Sequence, residues 1–165
     1  MGHTIKNSKA CVLSLIFMFC ILESFTSCNA TPQADFTTIK TDIFSLAVPS
    51  DWNTVTKPEV VFKTNGNVIG GVSEMNYDPS QPISQLYGNQ AEEISQTKRS
   101  DLSLPATEVV LRRSSPAAES EQTSVDELHY YLIPQNGKIA YDLNFDSNKV
   151  DKSTAEKIAK SFTIN

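Results

Sequence analysis

The sequence predicts an α+β domain, a single antiparallel sheet of about six strands covered by helices. Three observations predict it. Two Asn-Gly pairs, Asn65-Gly66 and Asn136-Gly137, each stand between runs of β-branched and aromatic residues, and both residue types tolerate the positive φ of a tight hairpin. The run Ile139 to Asp146 alternates, with Ile139, Tyr141, Leu143 and Phe145 on one side and Ala140, Asp142, Asn144 and Asp146 on the other; this is the period of a strand with one buried face. The period then changes. Ala155, Ile158, Ala159 and Phe162 recur at helical spacing behind Ser153-Thr154-Ala155-Glu156, a capping-box pattern. A hairpin whose apolar face needs cover is thus followed at once by a helix able to supply it.

Residues 1–28 carry the layout of an export leader. Lys6 and Lys9 form a basic start, Cys11 to Leu22 is apolar but short for a bilayer span, and small polar residues follow. Phe25-Thr26-Ser27-Cys28 reads as a bacterial lipobox, in which the cysteine is acylated and becomes the new N-terminus, although Phe25 stands where Leu, Val or Ile is usual. The alternative is cleavage after Ala30, behind Cys28-Asn29-Ala30, releasing a soluble secreted protein. Cysteine usage favours the first. Cys11, Cys20 and Cys28 are the three cysteines of the chain, and all lie in the leader. Lipidation at Cys28 by palmitate-type chains, in the bacterial cell envelope, is therefore the expectation. N-myristoylation at Gly2 is rejected because Lys6 stands where Ser or Thr is required.

Asn29 to Asp35 is a polar tether kept extended by Pro32, and residues 36–165 form one domain. With no cysteine beyond Cys28 that domain holds no internal disulfide, so its stability must come from its core. The chain of 165 residues has 14 basic and 19 acidic residues; taking away Lys6, Lys9 and Glu23 with the leader leaves 12 and 18, a net charge of −6. Such a balance argues against nucleic acid and against adsorption to anionic lipid, so membrane attachment rests on the acyl chains.

Within the domain, Phe36 to Lys40 and Ile43 to Val48 read as strands around Thr41-Asp42, closed by the turn Pro49-Ser50-Asp51-Trp52. Trp52, the single tryptophan, suits the half-buried end of a core. Val60 to Lys63 and Val68 to Tyr77 flank Asn65-Gly66 as a second hairpin, in which Gly70-Gly71 marks a bulge or a close backbone approach. Asp78-Pro79-Ser80-Gln81-Pro82 breaks the chain. After it Ile83, Leu86, Tyr87, Gln90, Ala91 and Ile94 fall at steps of three and four, predicting the main helix over Ile83 to Lys98. Leu104 to Arg113 resumes strand character, and Ser114 to Ser124 has the composition of a mobile loop.

Equipment for chemistry is sparse. His129 is the one histidine after the leader, and alternation places it on the outer sheet face beside Glu127 and Tyr131, exposed to solvent or packed there. No Gly-x-Ser-x-Gly elbow occurs. Asp142, Asn144 and Asp146, with Ser147, Asn148 and Asp151 behind them, have the spacing that opens a calcium loop. Ser147 replaces the glycine of its turn and Ser153 the bidentate glutamate, so the wet face of a strand explains the same residues. The expectation is no catalytic residue, no cofactor and no metal.

Two stretches carry a resemblance. Ile43-Phe44-Ser45-Leu46-Ala47-Val48-Pro49-Ser50-Asp51-Trp52 resembles the opening of PsbP-like domains, and Ser153 to Phe162 resembles the last helix of those domains and of DcrB-type bacterial envelope lipoproteins. The resemblance covers roughly residues 36–165 and rests on short motifs. It implies an α/β/α sandwich on an antiparallel sheet, in a group whose members act mostly as accessory or scaffold proteins of membrane complexes, and it supplies no catalytic residues. Three functions follow as expectations. The first is a lipid-anchored, non-catalytic envelope module that binds a membrane or envelope protein and shows an exposed apolar patch on a sheet face or at the Pro134 turn. The second is a small-ligand-binding lipoprotein with a cavity walled by Trp52 or Tyr130. The third is a secreted hydrolase, which requires His129 within hydrogen-bond reach of a serine or carboxylate in a cleft.

Overall fold

The computed structural model describes residues 35–57, 59–115, 123–135 and 137–165. The leader with Cys28, the tether up to residue 34, Pro58, residues 116–122 of the loop, and Asn136 lie outside the described residues. The elements are β1 Phe36–Lys40, β2 Phe44–Pro49, β3 Asn53–Val55, β4 Val60–Thr64, β5 Asn67–Asn76, a 3₁₀ turn Ile83–Leu86, β6 Ala91–Arg99, β7 Ala106–Ser114, β8 Ser124–Leu132, β9 Ile139–Asp146, α1 Lys152–Ser161 and β10 Thr163–Ile164.

The expected single sheet of about six strands under helices is not what forms. There are two antiparallel sheets, one of seven strands in the order β3-β4-β5-β9-β8-β7-β6 and one of three in the order β1-β2-β10, with α1 the one α-helix among the described residues. The largest departure is the predicted helix over Ile83 to Lys98. Only Ile83–Leu86 coils, as a single 3₁₀ turn. Gly88 and Gln90 then take φ of 72° and 62°, a left-handed backbone that ends any helix, and Ala91–Arg99 runs as β6 against β7. Tertiary pairing thus overrides the helix propensity of Glu, Gln, Lys and Arg in this segment. The helical spacing was still half informative, since Ile83, Leu86 and Tyr87 are buried while Ile94 remains 46% exposed.

The Asn65-Gly66 hairpin forms as expected, with φ of 49° and 80° at its two central residues. Both readings of Gly70-Gly71 hold. The β4–β5 register shifts at Phe62/Lys63, and a Cβ on Gly70 or Gly71 would run into the carbonyl oxygen of Asn144 or Val60 on the flanking strands. The β8–β9 register follows the Asn136-Gly137 position, pairing Leu132 with Tyr141 and His129 with Asn144. At α1 the cap is two residues earlier than the capping box suggests. Asp151 accepts from the Thr154 amide at 2.9 Å, and Ser153 donates its hydroxyl to Asp151.

The seven-stranded sheet has two unlike faces. On the inner face Phe62, Val72, Tyr130, Leu143 and Phe145 pack with Leu46 and Val48 of the small sheet and with Ala155, Ile158, Ala159 and Phe162 at the C-terminal end of the chain. Trp52 closes one edge of this core, its ring 5.7 Å from that of Phe62 and 6.4 Å from that of Phe145. Without a sulfur bridge in the domain, this apolar mass is what holds it. The outer face carries a smaller cluster in which Ile83, Leu86 and Tyr87 cover Val109, Leu111, Tyr131 and Ala140. The expectation that Ala140 and Asp142 lie on a wet face is therefore corrected, since the Ile83–Tyr87 segment covers that face and buries both.

Candidate functional site

The outer face holds the one histidine among the described residues, and its setting decides which chemistry is open to the chain. Glu127, His129 and Tyr131 alternate along β8 and so point the same way. Antiparallel pairing brings Asp142 of β9 opposite Tyr131, one diagonal step from His129. The His129 ring is 4% exposed; its Nδ1 lies 2.8 Å from Asp142 Oδ1 and its Nε2 3.2 Å from Glu127 Oε2. Both partners are carboxylates, which only accept, so both ring nitrogens donate and the imidazole is held as a cation. Burial alone would lower its pKa; the hydrogen bonds to Asp142 and Glu127, and then their charges, outweigh burial and raise it to about 9.

The shell continues outward. Arg113 of β7 donates through Nε to Glu127 at 2.9 Å, so two cations face two carboxylates. Burial opposes the ionised form of Glu127, and the bonds from His129 and Arg113 overcome it to hold the carboxyl below its usual range. The Tyr131 ring stacks on His129 at 5.6 Å and on Tyr87 at 6.0 Å, placing an aromatic lid from the Ile83–Tyr87 segment over the charges. His129 is beside Glu127 and Tyr131 as the sequence predicted, but it is buried rather than turned to solvent.

This geometry meets the hydrolase expectation only in part. His129 is within reach of carboxylates, yet both nitrogens are occupied by them and neither faces a serine hydroxyl. The would-be calcium residues disperse. Asp142 bonds His129, Asp146 pairs with Lys149 at 2.7 Å and accepts from the Asn148 amide, and Asp151 caps α1. Among the described residues no group of three or more His, Cys, Asp or Glu is placed to hold a metal ion.

Two clefts and one edge complete the surface. A cleft of about 430 Å³ lies on the outer face where Arg113, Glu127, Asn144 and Asp146 meet Val68 and Gly70. A second, of about 550 Å³, opens between the β1–β2 turn, Thr56, Lys57, Glu59, Val60 and the β5–β9 pair. Neither Trp52 nor Tyr130 lines either cleft, contrary to the cavity wall expected for a small-ligand protein. Large exposed apolar side chains occur at Ile43, Val55, Val68, Ile94 and Ile164, and Pro134 is partly buried. Among the described residues β6 pairs with β7 alone, leaving its other edge without a partner strand.

No family model matches the chain, and no curated protein does. Among solved structures the chain is similar to the solution structure of cyanobacterial PsbP (CyanoP) from Synechocystis sp. PCC 6803, with 15% sequence identity, covering 84% of this chain and 98% of that one at a TM-score of 0.48.

Proposed function

We propose that this chain is an exported, non-catalytic accessory module of the bacterial cell envelope, lipid-anchored through Cys28, that binds a membrane or envelope protein. The observation that carries the binding role is the edge of β6, where eight of its nine residues pair with β7 and, among the described residues, no strand pairs with the other side, leaving backbone donors and acceptors there. The register shift between Glu93 and Ser95 sets Ile94 out of the ladder, so the edge offers an apolar side chain beside its backbone groups. The clamped state of His129 supports the non-catalytic part, and the lipobox at Phe25 to Cys28 supports the anchor. The resemblance of Ser153 to Phe162 to the last helix of DcrB-type lipoproteins belongs to the same reading.

Capture after cross-linking in intact cells, with wild type, Cys28→Ala and Ile94→Lys side by side, tests it. Cys28→Ala should lose the mass of the acyl chains and leave the membrane fraction. Ile94→Lys should stay anchored and lose the captured protein. Equal capture by Ile94→Lys, or an unmodified Cys28 in the wild type, overturns the corresponding half of the reading.

A further inference from the structure

The charge on β6 is sorted along the strand. Glu92 and Glu93 stand before the register shift, Lys98 and Arg99 after it, and every residue from Glu92 to Lys98 is exposed. The shift also fixes which face each side chain takes. Glu93, Gln96 and Lys98 oppose Leu111, Val109 and Thr107 and so share the outer face, while Glu92, Ser95, Thr97 and Arg99 oppose residues of the inner face. The Tyr87 hydroxyl reports the same phase. It donates to Glu93 at 2.6 Å and reaches Gln96 at 3.3 Å, although an unbroken strand would turn these two to opposite faces. With nine residues β6 is also a long edge, whereas β3, at the other side of the same sheet, has three.

We propose that β6 docks antiparallel on β6 of a second copy of this chain, with Gln96 facing Gln96 across a two-fold axis, so that two seven-stranded sheets join edge to edge. This rests on the reading of β6 as the docking edge and names its occupant, itself an envelope protein. A two-fold contact needs a strand complementary to its own reversal, and β6 is one. With Gln96 at the centre and Ile94 bulged out of each ladder, Ser95 meets Thr97, Glu93 meets Lys98 and Glu92 meets Arg99, each pair on one face. Moving the centre to Ser95 or Thr97 sets Glu93 against Gln96 or Ser100 instead, and the charge match is lost. Arg99 is already held by Asp101, Glu108 and Glu156, so the selecting contact is Glu93 with Lys98, made twice by the symmetry. Charges guard a sheet edge when an incoming strand leaves them unanswered, and a second copy answers them. Ile94, 46% exposed, lies beside each Glu93–Lys98 pair, where the methylene stem of the facing lysine covers it.

The test co-expresses two differently tagged forms of the full-length chain and measures capture of one by the other. Wild-type copies should capture each other. Lys98→Glu in both copies, or Glu93→Lys in both, sets like charges face to face and should weaken capture about tenfold. Pairing a Lys98→Glu copy with a Glu93→Lys copy restores opposite charge at both contacts and should bring capture back, which neither a misfolded variant nor a different protein on the edge would do. The proposal is overturned by wild-type copies that do not capture each other, by undiminished capture in either variant, or by a mixed pair that does no better than the variants alone. If wild-type copies stay apart while Ile94→Lys still loses a different captured protein, the occupant alone is wrong; if Ile94→Lys loses nothing either, the docking edge itself is wrong.

Discussion

The two faces of the seven-stranded sheet are made by the same alternating strands, yet they are held by different physics. The inner face is largely apolar, with Glu108 buried beside Tyr130 and ion-paired to Arg99 and Lys152, and is covered by a helix and a second sheet. The outer face is covered by one 3₁₀ turn and its flanks, and beneath that thin cover it buries a histidine and the Asp142 carboxylate, with Glu127 and the Arg113 head group partly exposed beside them. The inner face tolerates little change in volume. The outer face depends on every charge being answered, because each buried ion without its partner carries an uncompensated desolvation cost.

Cutting into the inner face should give the largest effect. Phe145→Ala removes a ring stacked 6.0 Å from Phe62 and contacting Trp52, and should lower stability by about 3–5 kcal/mol in urea unfolding followed by Trp52 fluorescence. A loss under about 1 kcal/mol would mean that the inner face is not the principal core. On the outer face, Asp142→Asn keeps the shape and removes one anion from His129, for an expected loss of about 1.5–3 kcal/mol. That variant also sharpens the pH argument. The folded pKa of His129, raised to about 9 against 6.5 for the free side chain, adds stability that is complete below pH 6.5 and is lost as pH rises through 9. Between those values stability should fall by up to about 1.36 kcal/mol per pH unit. In His129→Gln this part of the slope should vanish, and an unchanged slope in denaturant titrations from pH 6 to 10 would sink the clamp. Smallest of the set, Asp151→Ala should cost about 1 kcal/mol, since it removes a cap from a helix otherwise held by packing. Circular dichroism would show the first turn of α1 fraying while the sheet signal stays.

The inner face was the legible one. Alternation in Ile139 to Asp146, the Asn65-Gly66 turn and the stripe Ala155, Ile158, Ala159 and Phe162 each express one local rule, and each element appears where that rule puts it. β6 was not legible, because Glu92, Glu93, Gln96, Lys98 and Arg99 are good helix formers on an exposed edge, and only the ladder with β7 makes them a strand. Gly88 was the available warning inside the supposed helix. β10 has two residues, too few for any period, and owes its existence to β2. The histidine cluster was closer to hand than it looked. A hairpin register centred on Asn136-Gly137 sets Tyr131 against Asp142 and His129 against Asn144, and from there the His129–Asp142 diagonal follows. What the register does not contain is the cover from Ile83 to Tyr87, and without it the same residues read as a wet face.

The small sheet gathers both chain ends onto one strand. β1 enters beside Pro49 and β10 finishes beside Phe44, so the two ends leave from opposite extremities of β2. A force between Phe36 and the C-terminal residues runs along the strands, loading the five residue pairs of β1 and β2 and the two of β10 and β2 in shear.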